Sequence, residues 1–247
     1  MKNSFWFVPL GVGDAFSEKY YSSSLYICYN NYSIAVDCPH PYRKILKEAA
    51  NSSKENLNLE KLNSIIITHL HSDHMSGLEG IGFYMRYIAN KKLKLVAHKK
   101  VLQDLWPYHL QGSMAPLCDP PEKHRKFTDF FNPVSFNPKG EITEGPFKIS
   151  SKLTRHHIPT TALKITAGDK TLGYSADTAF DEDLIEWLSS ADIIIHETNT
   201  GGHTPYEKLD ALPQELKHKM YLIHYPDVFN KEASTIPPLV QAKKYIL

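Results

Sequence analysis

The chain has 247 residues, of which 42% are hydrophobic and 22% are charged, a composition typical of a folded domain and not of a disordered chain. Its 28 basic and 27 acidic residues give a formal net charge of +1, which excludes a strongly basic nucleic-acid coat and a polyacidic tail. No apolar run reaches the roughly 18 residues that a membrane span needs, so no membrane association is expected.

Short runs of β-branched and aromatic residues alternate with helical patterns along the chain. Strands are predicted at residues 5–10, 24–29, 33–36, 64–68, 93–97, 147–153, 162–166, 171–174, 192–195 and 220–223. Helices are predicted at residues 41–50, about 77–89 and 181–188. This order favours one α/β domain over residues 1–247, with two sheets packed face to face and helices outside.

A proline-rich segment interrupts this pattern between about residues 103 and 138. Long irregular segments in compact domains are usually functional or disordered, and aromatic residues such as Trp106 and Tyr108 argue against disorder. The segment is therefore predicted to be an insertion that acts as a lid or an interface. A proline-rich surface excursion without a function is the alternative.

The three cysteines do not indicate a disulfide framework or a structural zinc knuckle. Cys28, Cys38 and Cys118 are odd in number and form no C-x-x-C pair. This usage predicts reduced thiols and a cytoplasmic protein. Nucleotide-dependent and serine-hydrolase chemistry is not indicated either, because the chain has neither a phosphate-binding P-loop nor a G-x-S-x-G sequence.

Four metal-capable side chains follow the predicted strand at residues 64–68: His69, His71, Asp73 and His74. Residues two apart on an extended segment point the same way, so His69 and His71 can reach one ion. A turn at Ser72 then directs Asp73 and His74 towards a second position. Imidazole and carboxylate ligands suit zinc, and also manganese or iron. The alternative is a polar surface turn that happens to contain histidines.

Further candidate ligands stand at the ends of other predicted strands: His156 or His157, Asp177 and His224. Each position alone is more often a cap or a surface residue. Together they supply the number of ligands that two metal ions require, and the Asp177 carboxylate could bridge the two ions. Two divalent cations about 3.5–4 Å apart lower the pKa of bound water towards 7 and so provide a nucleophile at neutral pH.

These motifs, in their order along the chain, resemble those of the metallo-β-lactamase superfamily, and within it those of the ribonuclease Z branch. Residues 68–74 look like the signature of the superfamily, and His156 followed by Pro159 looks like the third ligand motif of that branch. Residues 174–178 look like its bridging-aspartate motif, and residues 222–225 look like its last ligand.

Two further segments, residues 9–15 and 36–41, are similar to one offshoot, the anti-Pycsar phosphodiesterases of phages and bacteria. That offshoot hydrolyses cyclic nucleotides used as antiphage signals. The resemblance implies hydrolysis of the 3′,5′-cyclic forms of CMP, UMP, AMP and GMP to 5′-monophosphates. It also implies a homodimer, with the insertion or another loop covering the partner's site. The protein would act in the host cytoplasm if the chain is encoded by a phage.

The resemblance also implies an αββα sandwich with two metal ions, Zn²⁺ or alternatively Mn²⁺, at one edge of the sheets. Its ligand sets, carried over to this chain, are His69, His71 and His156 for the first ion, Asp73, His74 and His224 for the second, and Asp177 between them. His157 stays open as the alternative to His156.

Catalytic roles follow from the same resemblance, because residues 196–198 and 203–204 are similar to a segment that serves proton transfer in the ribonuclease Z branch. His203 is the candidate general acid, since histidine titrates near the working pH. Glu197 is expected to orient His203 or to be structural, and Asp73 is expected to orient the nucleophile. A solvent-exposed loop histidine is the alternative for His203.

Three competing functions remain. A tRNA 3′-processing endonuclease would need an extended basic surface, which the net charge of +1 does not favour, although residues 123–126 are a possible substitute. A lactone or thioester hydrolase of the same fold is disfavoured by the segment at residues 196–204. A non-catalytic metal-binding or signal-binding protein would have no need of a complete ligand set. A small-molecule substrate is therefore expected rather than nucleic acid.

Overall fold

The computed structural model describes residues 4–117 and 123–247, in which strands and helices form four layers. The strands are β1 (Phe5–Gly11), β2 (Ser24–Tyr29), β3 (Tyr32–Val36), β4 (Leu62–Ile67), β5 (Leu93–Ala97), β6 (Pro116–Leu117), β7 (Lys123–His124), β8 (Phe131–Ser135), β9 (Glu141–Glu144), β10 (Phe147–Leu153), β11 (Thr161–Ala167), β12 (Lys170–Tyr174), β13 (Ile193–Glu197), β14 (Met220–Ile223) and β15 (Tyr245–Ile246). The helices are α1 (Tyr42–Ser53), α2 (Ser72–Met75), α3 (Leu78–Tyr87), α4 (Lys99–Asp104), α5 (Gln111–Met114), α6 (Phe127–Phe130), α7 (Glu182–Leu188), α8 (Tyr206–Asp210) and α9 (Gln214–Lys217), with a 3₁₀ turn at Leu59–Lys61 and a π-helical turn at Leu105–Leu110.

Two mixed sheets have the same plan, with antiparallel strands on one side and parallel strands on the other. The first sheet has the order β15-β1-β2-β3-β4-β5-β8, and its strands β3, β4, β5 and β8 are parallel. The second has the order β14-β13-β12-β11-β10-β9, and its strands β12, β13 and β14 are parallel. In each sheet the carboxyl ends of the parallel strands therefore meet at one edge, where ligand sites of such sheets usually lie.

The side chains of β4 show how the layers are held together. Ile66 packs in the core between the two sheets, whereas Ile65 and Ile67 pack on the opposite face, against the helices that cover the first sheet. Successive side chains of a strand point to opposite faces, so a run of three isoleucines serves both cores. Each such buried side chain stabilises the fold by about 1.5–3 kcal/mol relative to an exposed one. The layer order confirms the predicted αββα sandwich.

Helices and a strand occupy both ends of the segment predicted as an insertion at about residues 103–138, and its status as an insertion stays a prediction. Helix α4, the π-helical turn and α5 follow one another directly from Lys99 to Met114, and β8 pairs in parallel with β5 as an outer strand of the first sheet. Pro133 breaks the strand pattern in the sequence, yet it is tolerated because β8 is an edge strand. Residues 118–122, with two of the prolines of the segment, lie outside the described residues.

Cys28 and Cys38 are buried free thiols, as expected, and Cys118 lies outside the described residues. Within the two described ranges, no helix is long and apolar enough to cross a bilayer.

Candidate metal centre

The candidate ligands lie where strands end. His69 and His71 follow β4, Asp177 follows β12, and His224 follows β14 directly. The backbone turns sharply after β3, β12 and β14, where Asp37, Ala176 and His224 adopt positive φ angles of 63°, 50° and 58°. A non-glycine residue in this conformation costs about 1–2 kcal/mol. The sheet edge therefore carries local backbone strain where the polar side chains converge.

The first group of converging side chains consists of His69, His71, His156 and Asp177, whose potential ligand atoms all lie within 4.8 Å of one another. His71 Nδ1 is 3.1 Å from His69 Nε2 and 3.3 Å from His156 Nε2. Asp177 Oδ2 is 3.6 Å from His69 Nε2. These are the predicted ligands of the first ion together with the predicted bridging carboxylate. Their role as ligands stays a prediction.

The second group consists of Asp73, His74 and His224. Asp73 Oδ2 lies 3.2 Å from His74 Nε2 and 3.3 Å from His224 Nε2. Asp177 also borders this group, with Oδ1 3.5 Å from His74 Nε2 and Oδ2 3.6 Å from His224 Nε2. One carboxylate thus touches both groups, which is the position that a bridging ligand needs.

Buried atoms without hydrogen-bond partners test whether metal ions fit this arrangement. His74 Nε2 and Asp177 Oδ1 are buried and make no hydrogen bond. Buried polar side-chain atoms normally have a hydrogen-bond partner, and two such atoms 3.5 Å apart are placed so that one cation could bind both. Imidazole nitrogens and carboxylate oxygens are the donors that Zn²⁺ takes, and Mn²⁺ also accepts them. The residues therefore fit divalent metal ions.

The protonation of the histidines in the first group agrees with this fit. Burial lowers the pKa of His69 and of His71, and it lowers the pKa of His156 to about 4. These rings are therefore neutral, which is the form that binds a metal. Burial acts the same way on His224, yet the Asp177 charge, the Asp73 hydrogen bond and the Glu197 charge together raise the pKa of that ring. Burial also lowers the pKa of His74, yet Asp177 and Asp37 raise it well above its usual value. The carboxylates around the second group thus favour positive charge there, which is the charge that a bound cation supplies.

A buried carboxylate supports one ligand in each group, and sequence analysis did not assign it a role. Asp37 Oδ2 accepts a hydrogen bond from His74 Nδ1 at 2.8 Å, and Asp37 Oδ1 accepts one from the Thr68 amide at 2.8 Å. The Thr68 hydroxyl lies 2.9 Å from both Asp37 oxygens and 2.9 Å from His69 Nδ1. Such contacts fix ring orientation and tautomer. The signals in the sequence were an aspartate directly after a predicted strand and its place in residues 36–41, one of the segments that carry the family resemblance.

His203 stands beside the second group, and Glu197 holds it. His203 Nδ1 is 3.0 Å from Glu197 Oε1, and the imidazole stacks on His224 with 5.1 Å between ring centroids. The hydrogen bond to Glu197 raises the pKa of His203. Nδ1 is occupied, so Nε2 remains available to a substrate, and the side chain is 21% exposed. This is the geometry that a general acid oriented by Glu197 requires.

His157 lies outside both groups. Its ring is 4.2 Å from that of His156 and 4.6 Å from that of His71, centroid to centroid, and the residue is exposed. Among the described residues, the clusters of potential ligands include His156 and not His157. The geometry thus favours the predicted His156.

A mainly apolar cavity of about 360 Å³ opens beside His71. It is lined by Leu70, His71, Lys100, Val101, Asp104, Tyr108, His109, Ile158 and Pro159. Helix α4 and the π-helical turn form one wall, so part of the segment predicted as a lid borders the candidate metal centre.

The sequence pattern of the family described as "Anti-Pycsar protein Apyc1" matches residues 5–244 of the chain. A relative of that name from Bacillus phage BSP38 is 29% identical over 255 residues, which is 96% of each chain. Another from Saccharibacillus brassicae is 28% identical over 238 residues, 90% of each chain. The structure is similar to that of the metallo-β-lactamase fold protein YhfI from Bacillus subtilis, with a TM-score of 0.78 and 20% identity over 99% of this chain and 100% of that one. This likeness confirms the predicted fold.

Proposed function

The chain belongs to the Anti-Pycsar protein Apyc1 family, and from that premise we propose that it hydrolyses 3′,5′-cyclic nucleotides to 5′-monophosphates and so counters cyclic-nucleotide antiphage signalling. It is a metal-dependent hydrolase. The observation that carries the proposal is the convergence of two groups of metal-capable side chains on one carboxylate, Asp177, with His203 beside them. Such a site can bind a phosphodiester and stabilise the oxygen that leaves when its bond to phosphorus breaks.

Two divalent ions, Zn²⁺ or Mn²⁺, would be held in the two groups. His69, His71 and His156 would bind the first, Asp73, His74 and His224 the second, and Asp177 both. When bound, such ions lower the pKa of water and offset the negative charge that develops on a phosphodiester.

The protein's own groups orient the water and supply the proton. The Asp73 carboxylate orients the attacking water, which has released one proton to solvent. The water oxygen then bonds to phosphorus as the bond to the 3′ oxygen breaks. His203 Nε2 donates a proton to the leaving 3′ oxygen, and Glu197 keeps Nδ1 occupied so that Nε2 faces the substrate. A general acid placed in this way typically contributes about 10²–10⁴ in rate.

The cavity beside His71 is our candidate for the base. Its surface is mainly apolar, and Tyr108, which is 78% exposed, offers an aromatic face at its rim. Stacking does not depend on the hydrogen-bonding edge of a base, so all four cyclic nucleotides are expected as substrates. We also propose a homodimer, acting in the cytoplasm, in which the segment around Tyr108 or another loop covers the partner's site.

Product analysis tests the proposal. The zinc- or manganese-loaded protein is incubated with the 3′,5′-cyclic forms of CMP, UMP, AMP and GMP, and in parallel with a tRNA precursor. Linear 5′-monophosphates with intact tRNA are expected. Cleaved tRNA beside untouched cyclic nucleotides would move the function to RNA processing and would refute the proposal.

A further inference from the structure

The loop that carries His203 is anchored after the histidine, where Thr204 hydrogen-bonds to Thr178 and Thr198, but residues 199–202 before it have little support of their own. Two glycines, Gly201 and Gly202, precede the histidine; Gly201 has a φ of 72°, and a side chain at either position would meet only open space. Glycine pairs leave a backbone conformationally free. The ring of His203 is held by Glu197, but that contact does not fix residues 199–202.

One buried carboxylate reaches this loop from the segment between β1 and β2. Asp14, which is 6% exposed, accepts a hydrogen bond from Asn199 Nδ2 at 3.0 Å through Oδ2. Asn199 in turn accepts the Thr200 amide on its Oδ1 at 2.7 Å, and its own amide donates to the Thr204 carbonyl at 3.1 Å. In the described part of the chain, the bond between Asp14 and Asn199 is the one hydrogen bond that joins residues 199–202 to a different segment.

Asp14 is itself fixed, so the bond can transmit position. Its other oxygen, Oδ1, accepts the Phe16 amide at 3.0 Å. The following residue, Ser17, donates its hydroxyl to Asp227 Oδ1 at 2.6 Å, and the Glu18 amide donates to Asp227 Oδ2 at 2.8 Å. The segment between β1 and β2 is thereby tied to the loop after His224.

We infer that Asp14 and Asn199 are positioning residues that hold the backbone of the His203 loop, so that His203 meets the leaving oxygen of the substrate. The inference rests on the proposed role of His203 as general acid. Among the described residues, no hydrogen bond joins the side chain of Asp14 or of Asn199 to a candidate metal ligand, so we expect their effect to fall on the step in which His203 gives up its proton. They matter for a leaving group that needs a proton and not for one that leaves unaided.

Swapping the two side chains tests the bond. In Asp14→Asn, the new NH₂ group faces either the NH₂ group of Asn199 or the backbone NH of Phe16, and neither pair can form a hydrogen bond. In Asn199→Asp, two carboxylates face each other. In the double variant D14N/N199D the donor and the acceptor exchange places, and the contacts to the Phe16 and Thr200 amides persist. Thr200→Ala, in the same loop and exposed, is the matched control.

The substrates are methyl phenyl phosphate and methyl p-nitrophenyl phosphate, which contain no nucleotide. Each single variant is expected to lower kcat for the phenyl diester by about tenfold to a hundredfold, a part of what general acid catalysis contributes, and to leave the p-nitrophenyl diester nearly unchanged. The double variant and Thr200→Ala are expected to behave like the wild type. Equal losses on both diesters, or no recovery in the double variant, would overturn the inference.

Hydrogen exchange gives a second measurement that needs no turnover. Each single variant is expected to speed amide exchange at residues 199–204 alone, at unchanged metal content, and the double variant to restore protection. Unchanged exchange in both single variants would refute the positioning role. A wild type that leaves cyclic nucleotides intact would refute the proposed function only, since neither measurement uses them.

Discussion

Replacing Asp37 by asparagine removes a negative charge from the side chain that supports the two candidate metal groups, with little change in the shape of that side chain. In the native chain Asp37 accepts from His74 Nδ1 and from the Thr68 amide, each at 2.8 Å. An amide has one acceptor oxygen, so either orientation sets its NH₂ against a donor, the His74 ring in one case and the Thr68 amide in the other. An NH₂ that faces the His74 ring disturbs the second metal group. An NH₂ that faces the Thr68 amide disturbs Thr68 and, through it, His69.

The expected size follows from the contacts that are lost. Removing a group that orients a metal ligand typically weakens metal binding about 10- to 100-fold, which corresponds to about 1.4–2.8 kcal/mol. A hydrogen bond to a charged partner contributes about 1.5–3 kcal/mol to folding, so the metal-free variant also melts at a lower temperature. We therefore expect Asp37→Asn to lose affinity for at least one of two bound ions.

Titration calorimetry with Zn²⁺, combined with elemental analysis of the bound metal, measures both affinities. Asp192→Asn is the matched control, because that exposed carboxylate also accepts a backbone amide, from Thr171, and a charged donor, Lys170, at the other end of β12. It should bind metal like the wild type. If Asp37→Asn retained two ions with unchanged affinity, the support attributed to Asp37 would be refuted.

Four further changes test the site. His71→Ala should abolish hydrolysis while circular dichroism shows a folded protein, and turnover by a folded, metal-free variant would contradict metal dependence. His203→Ala should slow diesters with poor leaving groups more than p-nitrophenyl diesters, whereas equal losses would remove its role as acid. Glu197→Gln keeps an acceptor oxygen but removes the carboxylate charge, which weakens the hydrogen bond that raises the pKa of His203. The alkaline limb of kcat should therefore move to lower pH, and a fixed limb would contradict that cause. Tyr108→Ala should raise KM for cyclic nucleotides but not for the abasic methyl riboside 3′,5′-cyclic phosphate, and equal changes for both would count against base stacking.

Strands with β-branched runs were predictable because both of their faces are buried. The run Ile65–Ile67 can be recognised as a strand from the local sequence alone, because a short β-branched run is typical of a strand that is buried on both faces. Strand β8 was missed because Pro133 looks like a break, and only its place at the edge of the sheet makes the proline acceptable. The two-residue strand β15 exists through pairing with β1, which no local pattern encodes.

The candidate site also contains residues that could be predicted from the sequence and residues that could not. The ligands after β4 could be predicted because their chemistry and spacing lie within six residues of sequence, from His69 to His74. Asp37 and Asp14 could not, because their partners are 31 to 37 and 185 residues away in the chain. A carboxylate that supports another side chain has no periodicity of its own, and its role emerges only when the fold brings the two together.

The backbone at the sheet edge explains why these supports are needed. Asp37, Ala176 and His224 all hold left-handed conformations, each costing about 1–2 kcal/mol, and each stands at or next to a candidate ligand. Relaxation of Ala176 to an extended conformation would move the neighbouring Asp177 carboxylate, which borders both metal groups. The hydrogen bonds around the edge, such as the Asp37 amide to the Ile66 carbonyl at 2.8 Å and the Ser175 amide to the Ile195 carbonyl at 3.0 Å, oppose that relaxation. The sheets therefore do more than carry the ligands, because they hold the strained turns that bring carboxylates and imidazoles together.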